Sequence, residues 1–98
     1  DEGIARMRRE VEQLAAERDG FATALAWLPC VARVRPSATN FVTATFHAVE
    51  AAWAALIADG IVARRLPHPR LADAIRFTIG SAEDMQRVLK ALAAVPGD

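Results

Sequence analysis

Residues 73–84 of this chain place Ile75, Phe77 and Ile79 in alternation with Arg76 and Thr78, and Gly80 and Ser81 follow at once. A period of two is the mark of a strand with one buried face. If the three apolar side chains turn to a core, Arg76 must stand on the other side of the sheet. Gly80 then turns the chain, and Ser81 is placed to N-cap a helix with Glu83 and Asp84 in its first turn. Whatever the chain folds into must bury one face of this strand, show one guanidinium on the other, and start a helix directly after it.

The rest of the chain supplies the matching parts. From Ile4, the apolar residues Met7, Val11, Leu14, Phe21, Leu25 and Leu28 recur at steps of three and four, broken only by Arg18 and closed by Pro29. This predicts a helix of about 25 residues, near 37 Å long at 1.5 Å per residue. Such a helix is long beside the ~13 Å radius of gyration expected for a 100-residue domain. It can overhang its domain and rest on something outside this sequence, or form a coiled coil. Residues 31–35 read as a strand ended by Pro36 and Ser37, and residues 40–46 as a second, with a turn at 36–39 between them. Val49, Ala52, Trp53, Leu56 and Ile57 mark a second helix that ends at Asp59-Gly60. Residues 61–65 read as a third strand, 66–70 as a proline-pinned loop, 75–79 as the fourth strand and 82–94 as the last helix. Pro96 and Gly97 stop that helix. The order α-β-β-α-β-β-α predicts an α+β two-layer sandwich: a small, mostly antiparallel sheet of three to four strands with helices on one face.

A length of 98 residues sets a single domain, 1–98, with an adequate but modest core. Twelve basic residues balance twelve acidic ones, which argues against nucleic acid or an anionic membrane as partner. No apolar run approaches the ~20 residues of a membrane span, and the charged opening does not resemble a signal peptide. The lone Cys30 has no internal disulfide partner, so a cytoplasmic setting is expected. His47 and His68 share no ligand spacing with Cys30 or paired carboxylates, so no metal site is expected. Cys30 reads as a small packed residue, Lys90 as solvated, and Trp27 and Trp53 as helix-packing residues. The arginines carry more information. Arg64 and Arg65 end the third strand and Arg76 lies in the fourth, so neighbouring strands can bring two guanidiniums to one carboxylate or phosphate. The plain alternative is a set of solvated charges on an uncovered sheet face.

Four segments carry a family resemblance: Leu28-Pro29; Pro36-Ser37 with Asn40-Phe41; residues 60–64, Gly-Ile-Val-Ala-Arg; and residues 75–80, Ile-Arg-Phe-Thr-Ile-Gly. In this order and spacing they resemble the C-terminal small domain of fold-type I, pyridoxal-phosphate-dependent aminotransferases, and within that group the histidinol-phosphate aminotransferases. Cys30 stands where the family often has glycine and Ser81 where threonine is usual. Each keeps a small turn residue or a capping hydroxyl in place.

The resemblance implies that Arg76 binds the terminal anion of the substrate, that Arg64 helps hold a phosphate, and that Asn40 with Phe41 shapes the adjoining wall. It leaves open whether Arg64 or Arg65 faces the site. The family's Schiff-base lysine, ring-binding residues and phosphate cup belong to a large domain with no counterpart here. No catalytic or cofactor-binding residue is therefore expected in this chain, and pyridoxal phosphate is expected only in a parent enzyme. Residues 1–28 would connect to the large domain, and the parent would be a homodimer acting on small anionic amino donors and acceptors. An aromatic amino-acid aminotransferase or a threonine-phosphate decarboxylase of the same fold are the near alternatives. A free-standing dimerisation module or a small anion-binding protein are the distant ones.

Overall fold

The computed structural model describes residues 2–38, 40–66 and 68–97, with side chains described for 12–35, 40–66 and 68–97. Helix α1 (Glu2–Ala26) is followed by strands β1 (Val31–Ala38) and β2 (Phe41–Phe46) and helix α2 (Val49–Ala58). A two-residue strand β3 (Arg64–Arg65), a single 3-10 turn (Pro69–Leu71), strand β4 (Ala74–Thr78) and helix α3 (Ala82–Ala93) complete the chain. The expected order of elements is found. The strands form one antiparallel sheet in the order β1-β2-β4-β3.

One face of that sheet makes the core. Val42, Ala44 and Phe46 of β2 and Ile75 and Phe77 of β4 are buried against Phe21 and Leu25 of α1, Ala52 and Leu56 of α2, and Val88 and Leu92 of α3. Phe77 sits at the centre, its ring edge-on to Phe21 at 5.8 Å and to Phe46 at 6.5 Å between centroids. Aromatic rings favour this geometry, since a positive edge meets a negative face. The apolar stripe of α1 points inward at Phe21 and Leu25, with Leu14 packed beside the core. The side chains of Ile4, Met7 and Val11 lie outside the described residues. The longest dimension of the molecule is 51 Å against 27 and 22 Å for the others, consistent with a first helix too long for its domain.

The local signals at helix ends act as expected. The Ser81 hydroxyl accepts from the Asp84 N–H at 3.1 Å, satisfying one of the free amides of the first turn of α3. Gly60 ends α2 at φ +71°, in the left-handed region that costs a residue with a Cβ about 1 kcal/mol. A methyl group there would meet nothing within 4 Å. Gly60→Ala is therefore expected to cost about 1 kcal/mol from backbone strain alone. Chemical denaturation checks this, with a lowered midpoint and an unchanged slope as the expected result.

Several boundaries differ from the sequence reading, by one residue at β2, β4 and α3 and by more elsewhere. β1 runs on to Ala38 instead of ending at Pro36, so the turn is shorter than 36–39, and Thr39 itself lies outside the described residues. Only Arg64 and Arg65 of the third strand pair with β4. Residues 61–63 leave the helix cap at the sheet's margin, and Val62 there is 94% exposed. In the loop at 66–70, Pro67 lies outside the described residues, while the His68 ring Nδ1 accepts from the Arg70 N–H and starts the 3-10 turn. Trp27 is 84% exposed because α1 stops at Ala26 and the ring falls past its last turn, whereas Trp53 packs against the core as expected.

Candidate anion-binding site

The core fixes which side chains reach the open face. Because Ile75 and Phe77 are buried, Arg76 between them projects away from the helices. Antiparallel pairing places Thr43 of β2 on one side of Arg76 and Arg64 of β3 on the other. Arg35 of β1 pairs with Thr43, so one row across the sheet reads Arg35, Thr43, Arg76, Arg64.

A bulge puts β1 into that row. Val31 pairs with Phe46 but Arg33 pairs with Thr45, leaving Ala32 as an extra residue. This resets the alternation, so Val31 and Val34 both face the helices while Arg33 and Arg35 are exposed on the other side. Sequence periodicity alone does not show it, because two valines three residues apart fit no strand period.

Register places the two neighbouring arginines on opposite faces. Arg64 is directly opposite Arg76 and shares its face, while Arg65 is opposite the buried Ile75 and points to the helical side. There Arg65 donates through Nη2 to Glu50 Oε1 and to the Ala72 carbonyl, each at 3.1 Å, and its guanidinium lies 5.7 Å from the centre of the Trp53 ring. Arg65 is a brace between β3 and α2.

Arg64 and Arg76 are different. Directly opposed residues in an antiparallel pair have Cβ atoms about 5 Å apart, and like charges so placed destabilise the sheet. Among the described residues neither has a carboxylate partner; the ion pairs found are Arg18 with Asp19, Arg65 with Glu50 and Arg87 with Asp59. Arg76 is half-buried, and its guanidinium carbon lies 4.5 Å from the centre of the Phe41 ring, the diagonal neighbour on β2. Asn40 sits further along. Its carbonyl accepts from the Ile79 N–H at 2.8 Å, which ties the turn to the end of β4 about 10 Å from Arg76 along the strand. The structure thus brings Arg64 and Arg76 together, adds Phe41, and sets Asn40 at the edge of the group.

Other reactive groups are accounted for. Cys30 is fully buried, its Sγ donates to the Leu92 carbonyl at 3.5 Å, and burial pushes its thiol up, so it stays protonated. Among the described residues no cluster of three or more His, Cys, Asp or Glu side chains could hold a metal ion, and no helix is long and apolar enough to cross a membrane.

No family model matches the chain. Comparison with curated proteins finds histidinol-phosphate aminotransferases. That of Shigella sonnei (strain Ss046) is 42% identical over 94 residues, covering 95% of this chain and 26% of the relative. That of Escherichia coli (strain SMS-3-5 / SECEC) is 40% identical over the same length and shares. The resemblance read from the four segments is therefore found again across nearly the whole chain. The chain spans about a quarter of the length of the curated relatives it matches.

Aminotransferases of this kind imply pyridoxal phosphate, and the residues of this chain do not fit it. The single lysine, Lys90, is exposed on α3 in the helical layer, while the arginine pair lies on the opposite face of the sheet. Lys90 is therefore out of reach for a covalent link between a cofactor and anything bound between Arg64 and Arg76.

Proposed function

We propose that this chain is the substrate-recognition domain of an aminotransferase of the histidinol-phosphate type, inactive by itself. The observation that carries the proposal is the directly opposed pair Arg64 and Arg76, without carboxylate partners among the described residues, inside a stretch about 40% identical to enzymes of that name. An anion between the two guanidiniums removes their mutual repulsion and accepts paired hydrogen bonds from each. A phosphate monoester suits the pair best, since it offers three oxygens and close to two negative charges. The carboxylate of an amino acceptor such as 2-oxoglutarate would use the same guanidiniums in the second half-reaction.

The parent reaction on this reading moves an amino group from histidinol phosphate to 2-oxoglutarate, with pyridoxal phosphate held by residues outside this chain. Residues 1–98 form one domain, α1 links it to the cofactor-bearing part, and the parent is a cytoplasmic homodimer. Closure of the domain carries Arg76 onto the substrate and expels water from around it, which strengthens both ion pairs.

The test uses the full-length protein that carries this chain. It should transfer the amino group of histidinol phosphate to 2-oxoglutarate, with histidinol and the aromatic amino acids much poorer donors and no decarboxylation of threonine phosphate. Arg64→Ala should raise the KM for histidinol phosphate about tenfold, the worth of roughly one charge-assisted hydrogen bond. Arg65→Lys, which keeps a cation beside Glu50 and so holds β3 in place, should leave that KM within a factor of two. Equal effects of the two variants, or equal use of phosphorylated and unphosphorylated donors, would overturn the reading.

A further inference from the structure

We propose that Phe41 is the positioning residue for Arg76, holding its guanidinium edge-out toward Arg64 so that the two converge on one anion. The inference rests on the anion-binding reading of this pair and extends it to a neutral side chain. Four observations support it. The Arg76 guanidinium carbon lies 4.5 Å from the Phe41 ring centre, well inside the ~6 Å reach of a cation–π contact. Phe41 is opposite Thr78, the residue two positions beyond Arg76 on the same face, so the ring reaches Arg76 from the side away from Arg64. Among the described residues no carboxylate competes for this guanidinium. Phe41 is also only half-buried and lies off the core face, so filling the core does not explain a ring at this position.

The stack has a direct effect on geometry. Left to itself, Arg76 would swing away from the like charge of Arg64, and each anion bound would have to bring it back. The ring takes no conventional hydrogen bond from the guanidinium, so the N–H groups that bind phosphate in pairs stay free for it. The ring contact removes part of that ordering cost before the anion arrives.

The test measures inorganic phosphate as a competitive inhibitor of the full-length enzyme against its phosphorylated donor. Phe41→Leu should raise the inhibition constant two- to fivefold, the range of an exposed cation–π contact. Phe41→Met, which nearly conserves volume and carries no ring, should do the same. Phe41→Tyr and Phe41→Trp, which keep a ring, should stay near the parent value. In an Arg76→Ala background, Phe41→Leu should add nothing. The inference is overturned if Phe41→Leu and Phe41→Met bind phosphate like the parent while Arg76→Ala does not, or if Phe41→Leu has the same effect with and without Arg76. If Arg76→Ala itself leaves the inhibition constant unchanged, the anion-binding reading beneath it fails instead.

Discussion

Arg76→Ala, made in the full-length protein that carries this chain, is expected to raise the KM for a phosphorylated amino donor about 100-fold, with kcat/KM falling at least as far. A paired contact between arginine and phosphate contributes about 3 kcal/mol, and each 1.4 kcal/mol is a factor of ten. The same substitution should leave the stability of the fold nearly unchanged. Arg76 makes no ion pair within the described residues and stands directly against Arg64, so its removal relieves a like-charge contact worth roughly 0.2–1 kcal/mol and forfeits the ring contact with Phe41, worth about as much. A large kinetic loss with no loss of thermal stability is the signature of a residue placed for a ligand. Unchanged kinetics, or a matching drop in melting temperature, would remove Arg76 from the site.

The second large effect concerns the residue beside it. Phe77→Ala should destabilise the domain by about 3–5 kcal/mol, the usual cost of truncating a fully buried aromatic. Phe77 is 1% exposed and meets both Phe21 and Phe46 edge-on, so the hole would open where α1, β2 and β4 meet. Domains of this size have only about 5–15 kcal/mol in all. Hydrogen exchange on the full-length protein provides the measurement, with protection of the β2 and β4 amides expected to fall by about two to four decades. Protection left at its parent value would show that the centre of the core lies elsewhere. Adjacent positions on one strand thus separate cleanly, one costing binding and the other stability.

Much of this was visible in the order of residues. The alternation around Arg76 places its side chain without any structure, because three buried apolar neighbours leave it a single direction. The helix stops at Gly60 and the helix start at Ser81 follow from backbone chemistry and were equally legible. What was hidden depended on pairing between distant segments. The third strand is too short to show a period, so Arg64 and Arg65 look alike until β4 sets the register. The bulge at Ala32 lies in a strand whose apolar spacing does not fit the strand period, and Arg33 and Arg35 could be assigned to a face only once β2 lay beside them. Phe41 could be read as part of a wall but not as the partner of Arg76, because a diagonal contact exists only between paired strands. The place of Trp27 is hidden in the same way, because the exact end of α1 decides whether its ring meets the core.

The brace made by Arg65 has a mechanical consequence. β3 holds only two residues against the sheet, too few to keep its own position by backbone pairing. Arg65 fastens it to Glu50 in the first turn of α2 and to the carbonyl of Ala72 just ahead of β4. The Arg64 half of the proposed anion site is therefore mounted on the second helix as much as on the sheet. Any tilt of α2 would be transmitted one residue along the chain as a change in the gap between the two guanidiniums. Grip on the anion could then be tuned from the far side of the domain without touching either arginine.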